Sequence, residues 1–92
     1  KIGRFPLTAN AKALAMGGDA GMVKVIVNKK NKNILGAHII GPEATEIITE
    51  LITVSQLGGE KEFLEKIVHP HPSIGEAIKE AALDVYDRAI HI

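Results

Sequence analysis

The chain is 92 residues long, 46% hydrophobic and 24% charged, the composition of one ordinary folded domain with a small core. Eleven Lys and Arg balance eleven Asp and Glu, so no net field draws the chain to nucleic acid or to an anionic membrane. The three aromatic residues lie outside basic runs and offer no base-stacking surface, and no apolar run approaches the ~20 residues of a membrane span.

Cysteine does not occur, which excludes a disulfide framework and any thiol chemistry by this chain alone, and fits a cytoplasmic location. Lys1 leads directly into strand-like sequence, without the apolar stretch of a signal peptide. There is no initiating Met; the expectation is a piece or processed product of a longer protein, and within it residues 1–92 form one domain.

Ile2 to Leu7 reads as a short strand, placed at a sheet edge by Pro6. Thr8 or Asn10 can then cap a helical turn running through Ala15, and Gly17-Gly18-Asp19 stops it. Met22 to Val27 is β-branched, with Val23, Val25 and Val27 on one face and Lys24 on the other. The polar turn Asn28 to Asn33 leads into a second strand, Ile34 to Ile40, so the two should form an antiparallel hairpin.

After Gly41-Pro42, residues Glu43 to Leu57 carry an apolar stripe of Ala44, Ile47, Ile48, Leu51, Val54 and Leu57, with Glu43, Glu46 and Glu50 off it. Gly58-Gly59 ends that helix, and Lys61 to Ile67 predicts a short helical turn. Val68-His69-Pro70-His71-Pro72 cannot be helical, because each Pro removes an N–H and disfavours helix in the residue before it. The last helix is predicted from Ser73 to about Ala89, burying Ile74, Ala77, Ile78, Ala81, Val85 and Ala89 and pairing Asp84 with Arg88 on its exposed side. The expected architecture is α+β: an antiparallel sheet of three to five strands with helices packed on one side.

Chemistry points to the segment from His69 to Glu76. Prolines flank His71 on both sides, and a stiff loop entering a helix holds a side chain still. A carboxylate such as Glu76 on one imidazole nitrogen fixes the tautomer and leaves the other nitrogen to take or give a proton. Unperturbed imidazole titrates near pH ~6.5, which suits exchange with a thiol. The residue types alone favour a simpler role, since Ser73-x-x-Glu76 is a capping box. His69 and His71 could also ligate a metal at i,i+2, but zinc wants three or four protein ligands and no further set is evident. His38, alternating within a strand, reads as structural, and His91 lies in the last turn or tail.

His-x-His-Pro-x-x-x-Glu before an Ala-rich helix resembles the C-terminal signature of the dihydrolipoamide dehydrogenases, within the wider family of flavoprotein disulfide reductases. Phe5-Pro6-Leu7-Thr8-Ala9-Asn10 with Lys12, Ala13 and Met16 resembles that family's entry into its dimerisation domain, and Gly21-Met22-Val23-Lys24-Val25 its next strand. Leu35 to Pro42, followed by Ala44, Glu46, Ile47 and Ile48, resembles its strand-to-helix joint. The likeness covers nearly the whole chain in the right order.

The resemblance implies a homodimeric parent that uses FAD, NAD and a redox-active cysteine pair, none of them bound by this piece alone, which is therefore expected to be inactive in isolation. It implies that His71 is the general acid/base in the partner's active site, oriented by Glu76 through a role beyond capping. It also implies a cis His71–Pro72 bond, with the backbone of His71 and Pro72 near the partner's flavin. The substrate would be the lipoyl domain of a 2-oxo acid dehydrogenase or glycine cleavage complex. Ser73 stands where the family often has Thr, and no Gly-rich dinucleotide fingerprint or cysteine pair is present. Glutathione reductases usually show a single His-Pro here and mercuric reductases lack this His, so the doubled His favours the lipoamide enzymes. The alternatives are a dimerisation module without catalytic residues, the same domain of a related flavin disulfide reductase, and a small metal-binding domain.

Overall fold

A computed structural model describes residues 1–17 and 20–90. Strand β1 (Ile2–Pro6) leads through a 3-10 turn (Leu7–Ala9) into helix α1 (Ala11–Met16). Strands β2 (Met22–Val27) and β3 (Ile34–Ile40) follow, then helices α2 (Ala44–Gln56), α3 (Lys61–Lys66) and α4 (Glu76–Asp84). Among the described residues the strands form one three-stranded antiparallel sheet, ordered β1-β2-β3, with four helices packed against it. This is the α+β arrangement expected, at the lower limit of the anticipated strand number.

The alternation in β2 decides which face is covered. Val23, Val25 and Val27 are buried, while Met22, Lys24 and Ile26 face the other way. Antiparallel register sets Phe5 opposite Val23 and Ile34 opposite Val27, so their side chains join the same layer. The β2–β3 turn is closed by Asn28, whose Oδ1 accepts from Lys30 N at 2.8 Å and Asn31 N at 3.3 Å. Side-chain acceptance of this kind replaces backbone partners that the turn cannot supply.

Helix α4 lies across β1 and β2 and buries Ala77, Ile78, Ala81 and Ala82, with Ile74 before it and Val85 after it. The approach is close: a Cβ on Gly3 would sit 2.0 Å from the Ala81 carbonyl oxygen, so only glycine fits there. Asp84 completes the contact by accepting from Arg4 N at 2.9 Å. That bond uses a strand donor that would otherwise lack a protein partner.

Several local expectations need correction. Strand β1 ends at Pro6, and Leu7, fully buried, opens the 3-10 turn. Asn10, rather than Thr8, caps α1, and Gly17 closes it in the left-handed region; Gly18 and Asp19 lie outside the described residues. Leu57 is 81% exposed and does not extend the α2 stripe, because the helix ends at Gln56. Helix α4 spans Glu76–Asp84, well short of Ser73 to Ala89: Asp87 is left-handed at φ 58°, and Arg88 N returns to the Leu83 carbonyl at 3.0 Å. Asp84 and Arg88 consequently do not pair, since Asp84 serves Arg4 and Arg88 binds Glu65.

Lys61 was not foreseen in the core, yet it is fully buried. Its ammonium lies 3.0 Å from Glu65 Oε2 and 4.7 Å from the centre of the Tyr86 ring, so the charge is paired by a carboxylate and an aromatic face. Nearby, burial pushes the Glu62 carboxyl up, but its own backbone and the Lys61 and Lys32 ammoniums outweigh that and hold it below the ordinary carboxyl value.

Candidate acid–base site

The segment between α3 and α4 is non-helical up to Ser73, as its prolines require. Ile67 ends α3 in the β region, and the His71–Pro72 peptide bond is cis. The downstream end of the loop is fixed by Asn10. Its Oδ1 accepts from Ala13 N at 2.9 Å to cap α1, and its Nδ2 donates to the Ser73 carbonyl at 3.0 Å. Asn10 is only 4% exposed, so both bonds are made in a partly dry setting.

Glu76, the first residue of α4, meets the loop from the other side. Its Oε1 accepts from Ser73 N at 3.0 Å, and its two oxygens lie 2.9 and 3.0 Å from His71 Nδ1. One carboxylate thus contacts both the Ser73 N–H and the His71 ring. Only half of the capping box forms, however, because Ser73 Oγ is buried without a hydrogen-bond partner. The His71 side chain is 69% exposed and Glu76 27%. With Nδ1 taken by the carboxylate, Nε2 is the nitrogen left for another partner. A cavity of about 50 Å³ beside the pair is bordered by Phe5, Ala9, Asn10, His71, Glu76 and Glu80. Such an arrangement can move a proton at Nε2 while the carboxylate holds the ring and faces the charge that forms on it.

His69 lies differently. Its side chain is 6% exposed, and Nε2 sits 2.9 Å from both carboxylate oxygens of Glu50. His69 and His71 therefore do not converge on a common point, and among the described residues no group of three His, Cys, Asp or Glu side chains is placed to hold a metal ion. His38 stands on the open face of the sheet, in register with Lys24. His91 lies outside the described residues. Sequence reasoning missed two contributors, Glu50 and the second bond of Asn10. The capping signal at Asn10 was visible, but nothing local in the sequence indicates a partner 63 positions away, and Glu50 looked like one more acid on a solvated face.

The site is thus an imidazole held at Nδ1 by a carboxylate, with most of its side chain exposed, on a small α+β domain. Comparison with known proteins gives the domain its family. The model of the pyridine nucleotide-disulphide oxidoreductase dimerisation domain matches residues 1–82. Relatives include a dihydrolipoyl dehydrogenase of Rhizobium etli, 45% identical over 91 residues, and a mitochondrial one of Pisum sativum, 42% identical over 92. These alignments take in 99% and 100% of this chain but only 19% and 18% of the relatives, so the chain spans less than a fifth of their length. Among solved structures, LpdA from Mycobacterium tuberculosis superposes with a TM-score of 0.87 at 25% identity, over 92% of this chain and 18% of that one. The flavoprotein disulfide reductase RclA from Escherichia coli follows the same path over 89% of this chain and 19% of that one, with a TM-score of 0.85 at 26% identity. The chain belongs to the pyridine nucleotide-disulphide oxidoreductase dimerisation-domain family.

Proposed function

We propose that this chain, as one domain of residues 1–92, is the dimerisation domain of a dihydrolipoyl dehydrogenase, and that it carries His71 into the active site of the second subunit of a homodimer. The observation that carries the reading is the His71 ring itself: 69% exposed, and locked at Nδ1 by Glu76 at 2.9 Å. The substrate is a dihydrolipoyl group on the lipoyl domain of a 2-oxo acid dehydrogenase or glycine cleavage complex. His71 Nε2 accepts the proton of the dihydrolipoyl thiol. The resulting thiolate, the nucleophilic form, attacks the disulfide contributed by the parent's other domains. Glu76 faces the imidazolium produced and keeps the ring from turning.

This chain has neither cysteine nor a Gly-rich dinucleotide turn, so FAD, NAD and the redox disulfide belong to the remainder of the parent. What fits a flavin on this side is the exposed backbone at His71 and Pro72, which can lie against the ring of the partner subunit. When bound, a flavin would supply two-electron transfer between the disulfide and the nicotinamide. The isolated chain is accordingly inactive, and the parent works in a reducing compartment, the cytoplasm, where a dithiol substrate stays reduced.

A second reading, a dimerisation module with no part in chemistry, is favoured by the exposed apolar side chains Leu57, Phe63 and Val68, which suit an interface. The two readings part at His71. In the intact parent, His71→Gln should lower turnover by about 10²–10⁴-fold and leave the dimer intact by sedimentation. Turnover close to that of the unaltered enzyme would leave only the module.

A further inference from the structure

The loop holds a second histidine that the proposed chemistry does not use. The His69 side chain is 6% exposed, its Nε2 is occupied by both oxygens of Glu50 at 2.9 Å, and its Nδ1 is buried with no partner. Neither nitrogen is open to a substrate, so this ring is not a second acid–base group.

We propose that His69 and Glu50 form a positioning pair for His71, tying the upstream side of the loop to the middle of α2; this rests on the catalytic role proposed for His71. On the downstream side, Asn10 and Glu76 already fix Ser73. Upstream, Val68 is 91% exposed and makes no anchor within this chain, and Pro70 has no N–H to donate. The Glu50–His69 bond is the polar tie on that side among the described residues. The ring is mostly buried, but on one side it borders a cavity of about 180 Å³ lined by Val68, His69, Glu76, Lys79, Glu80 and Ile90. Once released from Glu50, the ring has room to swing. Only Pro70, with its fixed φ, separates His69 from His71, so a shift at the first residue is passed to the second. Displacement of a reacting group by about 1 Å can cost on the order of 10²-fold in rate.

The test is a double-mutant cycle in the intact flavoenzyme that contains this chain, with rates normalised to bound flavin and dihydrolipoamide as substrate. Glu50→Ala should lower kcat by about 10- to 100-fold with KM little changed. The same substitution in a His71→Gln background should cause almost no further loss, because a positioning residue acts only through the group it positions. An equal loss in both backgrounds would mean general damage to the fold and would overturn the proposal while leaving the role of His71 standing. So would full activity of Glu50→Ala beside a strongly impaired His71→Gln. Near-normal activity of His71→Gln itself would remove the function assigned to that residue, and the positioning role with it. Should Glu50→Ala fail to retain flavin, the cycle is run with Glu50→Gln, which keeps its volume and one accepting oxygen. A smaller loss, about 3- to 10-fold, should again vanish beside His71→Gln; a loss that persists there would overturn the pairing.

Discussion

Two parts of this small domain are held together by different physics. Under α4, Phe5, Val23, Val25, Ile78 and Ala81 are almost wholly excluded from water, and shape and apolar area do the holding. In the His-Pro loop, position depends on a few directed bonds: Asn10 to Ser73, Glu76 to Ser73 and His71, Glu50 to His69. The difference matters because apolar packing is tolerant in direction and costly in amount, whereas polar ties are modest in energy and strict in geometry. Losses in the first region should appear as stability, and losses in the second as misplacement.

Substitutions sharpen that contrast, beginning with the largest. Ile78, fully buried beneath the sheet, should cost about 2–5 kcal/mol when changed to Ala, read as a lower urea midpoint. In the parent, turnover per folded enzyme should stay unchanged; a selective loss of turnover would break the division. Asn10→Ala crosses the boundary. It deletes a cap worth about 1 kcal/mol and orphans the Ser73 carbonyl at about 1–3 kcal/mol, so both stability and His71-dependent turnover should fall. If only stability falls, the loop does not need its downstream anchor.

Glu76→Gln is a gentler probe. The amide oxygen can still accept from Ser73 N, so the unfolding free energy from urea titration should drop by no more than about 1 kcal/mol, while the negative charge facing His71 is gone and turnover should fall much further. A parallel change in both quantities would make Glu76 a cap and nothing more. The smallest effect is expected at Glu62. Its carboxyl is held below the ordinary value when folded, so its contribution is present at neutral pH and lost as pH falls through that lowered value. Glu62→Gln should therefore destabilise by under about 0.5 kcal/mol near neutrality and make no difference in strong acid. A larger effect in acid than at pH 7 would reverse the sign.

Much of this was legible from the chain. Period-two valines announced β2, three- and four-residue spacing announced α2 and α4, and the doubled proline announced a non-helical loop around His71. These signals are local, so short windows carry them. What escaped was long-range and polar. Glu50 and His69 are 19 positions apart, and Arg4 and Asp84 are 80 apart, with no periodicity to betray them. The burial of Lys61 depends on a carboxylate on its own helix but also on the ring of Tyr86, whose position only the fold supplies. Helix α4 looked longer than it is because alanines favour helix locally, while its stop is set by the left-handed turn at Asp87 and by Asp84 reaching β1.

The carboxamide of Asn10 has one more implication. It latches the first quarter of the polypeptide to the last, so the geometry around the outward imidazole belongs to the closed circuit of the chain and not to the motif that displays it. A synthetic peptide of residues His69 to Glu76 would inherit their order but not their pose, and grafting it onto another scaffold would require carrying the latch along with it.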